Sequence, residues 1–269
     1  MTNIIEVNNL SFRYKNKFIF DNLNLAIKEG EWVSIVGPNG SGKTTLAKLL
    51  VGLLPSNDSI IVDNLPFNND NMALVRKRIG IIFTNTSNYF VGETVADEIA
   101  FVLENQAYKH NEMESMIHNI AALLEIDKLL DKDPQTLSGG EKQKVALASV
   151  LVSDPKILII DGALEMIDAN TKKEIFNLIS KLQKELSLTI INLTHDLEET
   201  YYADRIIVIK DGCILVDGPT KEVLKEDKVF NRIGLEIPFM VDLSIKLQLY
   251  GLIDKLIFDM NEMVDALWQ

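Results

Sequence analysis

The sequence predicts an α/β fold: a mainly parallel sheet covered by helices on both faces, with an antiparallel β subdomain, a helical subdomain and a C-terminal helical extension. Three observations carry this. Short apolar runs alternate with stretches of helical periodicity, as in strand–helix units around a buried sheet. One unit has a glycine-rich turn between strand and helix, Gly37-Pro38-Asn39-Gly40-Ser41-Gly42-Lys43-Thr44. The 269 residues are 47% hydrophobic, enough to fill the core of one large domain, or of one with a small one appended.

Residues 4–10 and 18–27 alternate partially and read as antiparallel strands around the turn Arg13-Tyr14-Lys15-Asn16-Lys17. Tyr14 can stack on a base there or serve as an ordinary edge-strand tyrosine. Trp32-Val33-Ser34-Ile35-Val36 reads as a buried strand, and the residues from Thr45 to Val51 as a helix. Between them, glycines let backbone N–H groups converge on phosphate oxygens, and the helix presents its positive end to the same anion. The pattern G-x-x-x-x-G-K-[ST] assigns Lys43 to the β- and γ-phosphates and Thr44 to Mg²⁺, so this is a P-loop NTPase core that binds ATP or GTP.

Gly52 and Pro55 end the first helix, and residues 59–62 and 79–83 read as further strands, the second buried on both faces. From Thr94 to about Leu130 the period is helical, an all-helical insertion within a subdomain of about 88–150. Leu137-Ser138-Gly139-Gly140-Glu141-Lys142-Gln143 is a second glycine-serine turn at a helix start. Ile157-Leu158-Ile159-Ile160-Asp161 ends a buried strand in a carboxylate, placed for Mg²⁺ through an ordered water. A helix over 169–185 leads to a strand over 188–192, with His195 close behind. Residues 205–209 and 213–216 flank Asp211-Gly212, a type I′ hairpin signal. The tail from about Val229 reads as two or three amphipathic helices without a catalytic motif.

With 27 Lys+Arg against 39 Asp+Glu the net charge is −12, which disfavours a grip on nucleic acid or anionic lipid. Any membrane attachment is expected through another protein. The single cysteine, Cys213, excludes an intrachain disulfide and a cysteine-based metal site, and its alternating surroundings predict a packed strand position. No run of 18 apolar residues occurs, and the N-terminus lacks a basic region followed by a long apolar one, so a soluble, cytoplasmic chain is expected.

Together these residues resemble the ABC-transporter ATPases over about 1–225, with a C-terminal extension over 226–269. Residues 37–44 resemble the Walker A motif, 137–143 the LSGGQ signature with Glu141 for Gln, and 157–161 Walker B. Asp168 matches the D-loop aspartate and His195 the switch histidine. Residues 88–101, followed by Glu104-Asn105, look like the ATPases of energy-coupling factor (ECF) importers of vitamins or of cobalt and nickel. Residues 232–239 and the terminal Leu267-Trp268-Gln269 resemble the first of the two paired ATPases of that group.

The resemblance implies a head-to-tail dimer with ATP and Mg²⁺ between the Walker A motif of one subunit and the signature of the other. Tyr14 would stack on adenine, residues 37–45 including Thr45 would hold the phosphates, and Thr44 and Asp161 the metal. Leu137, Ser138, Gly139, Gly140 and Glu141 would face the partner's ATP, and His195 would sense the γ-phosphate of this chain's own. Implied partners are a second ECF-type ATPase, a transmembrane coupling subunit and a substrate-binding membrane subunit, at the cytoplasmic face of the membrane.

Two positions depart from the pattern. Gly162 stands where the family has the glutamate that polarises the attacking water, and Thr84 where it has the Q-loop glutamine, with Asn85-Thr86-Ser87 following. Glu165 lies three residues on, which does not by itself make it a replacement. The expectation is a subunit that binds ATP, hydrolyses it poorly at its own site, and lends its signature to a competent partner site. The alternatives are a cobalt or nickel importer of the same architecture and a catalytically inactive, ATP-dependent assembly subunit. A non-transport ABC protein acting on ribosomes or DNA would call for paired domains or a long coiled-coil insertion, and a basic surface.

Overall fold

The computed structural model describes residues 2–15, 17–56, 59–84 and 90–268. Met1, Asn16, Asn85, Thr86, Ser87, Asn88, Tyr89 and Gln269, on which parts of the sequence reading rest, lie outside these residues.

β1 (Asn3–Tyr14) and β2 (Lys17–Lys28) form the expected antiparallel hairpin, with Phe12 opposite Phe20 and Tyr14 opposite Lys17. β3 (Trp32–Val36) runs into α1 (Lys43–Leu50), and β4 (Ile60–Val62) and β5 (Leu65–Pro66) complete a four-stranded sheet in the order β2-β1-β4-β5. The core on this side joins Ile5, Leu10, Phe20 and Ile27 of the hairpin, Leu46, Leu49 and Leu50 of α1, and Val33 and Ile35 of β3.

α2 (Met72–Arg78) precedes β6 (Ile79–Phe83). α3 (Val95–Asn105), α4 (His110–Leu124) and α5 (Gly139–Leu151) form the helical region. β7 (Ile157–Asp161), α6 (Ala169–Leu186), β8 (Thr189–Thr194), β9 (Arg205–Lys210) and β10 (Cys213–Pro219) follow. The second sheet has the order β10-β9-β3-β8-β7-β6 and is parallel except for β10. Alternation along β3 sends Trp32 to the opposite face from Val33 and Ile35, into a core with Ile99, Leu103, Leu147 and Phe176. There Trp32, Phe176 and Tyr202 form an aromatic group with centroids 5.0–6.1 Å apart.

The sequence reading needs two corrections here. Asp211 and Gly212 have the positive φ values, 49° and 76°, of the expected turn, but Cys213 after them is exposed. β10 is the sheet edge, and its alternation points Cys213 and Leu215 outward and half-buries Ile214 and Val216. The tail, α7 (Thr220–Val223), α8 (Asp227–Ile233), α9 (Phe239–Leu249) and α10 (Met260–Leu267), is helical as expected. However, α9 is not cleanly two-faced: Val241 is buried while Phe239 and Leu249 are exposed. Phe230, Ile233 and Val241 pack with Val36, Ile206 and Val208, which ties the tail to the sheet. Among the described residues, no helix is long and apolar enough to cross a membrane.

Because β3, β6, β7 and β8 run parallel, their C-terminal ends share one rim. Lys43, Thr44, Thr84, Asp161, Glu165 and His195 lie at or beyond those four ends.

Candidate functional site

The loop after β3 is shaped by close approaches. A β-carbon on Gly37 would collide with the Ile209 carbonyl, and Gly42, at φ +109°, would bring one within 2.8 Å of the Phe20 ring. Gly42 caps α1 without a side-chain hydrogen bond, and the first turn of α1 contains no acidic residue. The helix start therefore keeps its donors and its positive end for an anion. Ser41 is buried, and its hydroxyl has no hydrogen-bond partner among the described residues. A bound phosphate satisfies such a group.

Lys43 Nζ donates to the carbonyls of Gly37 (2.6 Å) and Pro38 (3.2 Å), which holds the ammonium over the loop. Burial pulls its pKa down, against the opposing fields of Asp161 and Glu165. The Thr44 hydroxyl donates to Asp161 Oδ1 at 3.0 Å. Burial pushes the Asp161 carboxyl above the usual range, countered by Thr44 and Lys43. A hydroxyl and a buried carboxylate beside a phosphate cradle fit Mg²⁺, which takes few protein oxygens and completes its shell with water and phosphate. No group of three or more His, Cys, Asp or Glu that could hold a metal occurs among the described residues.

The rim continues at β6 and β8. Thr84 Oγ1 donates to the Asp161 carbonyl at 2.9 Å, and His195, after β8, is 44% exposed with Nδ1 3.2 Å from Glu165 Oε1. Lys172 on α6 binds Asp196 and Glu199, each at 3.0 Å, and Asn192 donates to the same Glu199, which is buried. This network fixes the chain just beyond His195. Sequence reading missed it, since α6 and the 197–202 turn meet only through the fold.

Glu165, which the sequence places three residues past Gly162 with no warrant for a shared role, comes close to that position. Gly162, at φ +61°, opens a turn closed by the Glu165 N–H on the Gly162 carbonyl at 3.3 Å. The backbone doubles back, so a separation of three residues becomes proximity. A β-carbon on Gly162 would meet Thr84 Oγ1 at 2.7 Å and Glu165 Oε1 at 2.8 Å. The signal available in the sequence was the glycine itself, the residue type that tolerates the positive φ of such a turn.

Tyr14 lies at the hairpin end, 43% exposed and edge-on to Phe12 with centroids 5.0 Å apart. Phe12 pairs with Phe20, whose ring backs Gly42, so the hairpin extends from the phosphate loop toward Tyr14.

The signature residues are elsewhere. Ser138 caps α5: its hydroxyl and N–H donate to Glu141 Oε2 at 2.7 and 2.9 Å, and the Glu141 N–H donates back to the hydroxyl. Glu in place of Gln thus completes a capping box. Gly139 faces open space, while a β-carbon on Gly140 would stand 2.5 Å from Thr171 Cγ2. Ser138, Gly139, Gly140, Glu141, Met166 and Asp168 line a cleft of about 860 Å³ that includes no phosphate-loop residue. Asp168 caps α6 through the Thr171 N–H, and hydrogen bonding from the Thr171 side chain and then its N–H holds the carboxyl below the usual range. Leu137, by contrast, is buried.

The ABC transporter family model matches residues 20–165. The chain is 44% identical over 272 residues to the energy-coupling factor transporter ATP-binding protein EcfA1 of Ligilactobacillus salivarius, covering 99% of this chain and 96% of that protein. It is 42% identical to EcfA of Pediococcus pentosaceus, covering 89% and 87%. Among solved structures it resembles CbiO1 of Clostridium perfringens, part of an ABC transporter complex, at TM-score 0.78 and 33% identity, with 88% and 97% of the chains covered. A dimeric ABC cassette bound to ADP and phosphate superposes at TM-score 0.70 and 28% identity, covering 80% and 98%.

Proposed function

The chain belongs to the ABC transporter ATPases, within their energy-coupling factor ATP-binding group, and from that premise we infer that its two clusters serve two different nucleotides. Residues 37–45, Asp161 and Tyr14 hold its own Mg²⁺ and ATP, and residues 137–141 with Asp168 complete the site of a companion ATPase. The observation that carries this is the separation of the clusters in one chain. The capped signature cleft is intact, whereas the rim beside the phosphate loop has glycine in place of the water-polarising glutamate.

Loss of a general base removes about 10²–10⁴ in rate while phosphate and metal contacts survive. The own site therefore binds ATP and turns it over slowly, and the companion site carries most hydrolysis. Bound Mg²⁺ supplies charge neutralisation at the phosphates. Lys43 and the loop N–H groups would hold the phosphates, and His195, after β8, would sense the γ-phosphate. The complex acts at the cytoplasmic face of the membrane in an importer of vitamins or other micronutrients, with a transmembrane coupling subunit and a substrate-binding membrane subunit. Residues 1–225 form the ATPase domain and 226–269 its extension, where the exposed Phe239, Leu249, Tyr250 and Trp268 favour contact with another subunit. The test is turnover by the purified chain alone and with its companion. Near inactivity alone and turnover in the complex support the reading; equal activity per subunit refutes it.

A further inference from the structure

We propose that Glu165 supplies, from the neighbouring turn, the carboxylate that position 162 lacks, so that the slow hydrolysis at this chain's own site runs through it. This rests on the own-site reading above. The first ground is position: Glu165 Oε1 and Cδ lie 2.8 and 3.2 Å from where a side chain on residue 162 would begin. The second is orientation, since that oxygen lies 3.2 Å from His195 Nδ1 at the next strand end. The third is access. The Glu165 side chain is 36% exposed, so water reaches it, and its charge acts on both Lys43 and Asp161. Thr84 fills the other side of the same space. The two sequence departures and Glu165 thus form one rebuilt corner.

In the step, the oxygen of a water attacks the γ-phosphorus while its proton passes to the Glu165 carboxylate. The bond from the γ-phosphorus to the bridging oxygen breaks, and that oxygen keeps the electron pair on ADP. His195 is a positioning residue for the carboxylate.

The test uses the complex with the companion ATPase, with Gly139→Asp in this chain to silence the companion's nucleotide. Gly139 faces open space, so the change fits the fold. Radiolabelled ATP is loaded, and phosphate release in a single turnover is read alongside equilibrium ATP binding. Glu165→Gln keeps size and hydrogen bonding, so a merely structural role tolerates it. The expected result is a loss of about 10²-fold in single-turnover rate with ATP binding unchanged. A Glu165→Gln rate equal to the parent's, or a parent site that leaves its ATP intact, overturns the proposal. If Gly139→Asp fails to lower the complex's steady rate, the two-site reading falls instead. Glu165→Gln is then read on that steady rate, where a loss supports the proposal and no change overturns it.

Discussion

Glu165 Oε1 lies 2.8 Å from the point where a β-carbon on Gly162 would stand, so the two positions compete for one volume. Restoring the missing glutamate is therefore not a simple repair. Gly162→Glu alone is expected to lower stability by about 1–2 kcal/mol, because a β-carbon is strained at φ +61° before the crowding is counted. Adding Glu165→Ser clears the volume and recovers part of the loss. Urea unfolding of the two single variants and the double reads this as a coupling of at least about 0.5 kcal/mol. Strict additivity contradicts it.

Lys43→Ala separates binding from folding. Its ammonium is half-buried and held by two carbonyls, and its folded pKa is lowered by that burial. A lysine shifted down costs stability while protonated, and the cost fades as pH rises through the folded value toward the unfolded one. The nucleotide-free parent should gain stability over Lys43→Ala as pH rises from neutrality toward the ordinary lysine value of about 10.4, read by urea unfolding along that range. The variant should also lose the stabilisation that Mg²⁺ and ATP confer, about 2.7 kcal/mol at a hundredfold excess over Kd.

Asp161→Asn removes a buried carboxylate that the fold disfavours while keeping an acceptor for the Thr44 hydroxyl. The nucleotide-free protein should be as stable as the parent or more so. The part of ATP's stabilising effect that depends on Mg²⁺ should vanish. Melting curves with ATP, with and without the metal, measure both.

The signature turn is also a helix cap. Ser138→Ala should cost about 1 kcal/mol in the isolated chain, whereas Glu141→Gln keeps the reciprocal bonds and should stay within about 0.5 kcal/mol. A large loss in Glu141→Gln would show that the charge, rather than the capping geometry, stabilises α5.

Much of this was legible in the sequence because local physics set it. Residues 32–36 announce a buried strand, the loop glycines occupy positions where a β-carbon collides or φ is positive, and Asp161 ends an apolar run. What escaped the sequence depends on geometry between elements. Cys213 lies on an alternating strand as expected, but only the position of β10 at the sheet edge decides that it faces outward. Lys172 and Glu199 meet because α6 packs beside the turn after β8. Glu165 looked remote by residue count and is near because the backbone reverses at Gly162.

The central claim is that one chain divides its machinery between two nucleotides, and steady-state ATP turnover of the complex with Lys43→Ala or Gly139→Asp in this subunit tests it most directly. The account predicts that Gly139→Asp abolishes most turnover by disabling the companion site, while Lys43→Ala, which empties only the slow site, leaves the greater part. Equal loss in both variants, or a larger loss in Lys43→Ala, would contradict it.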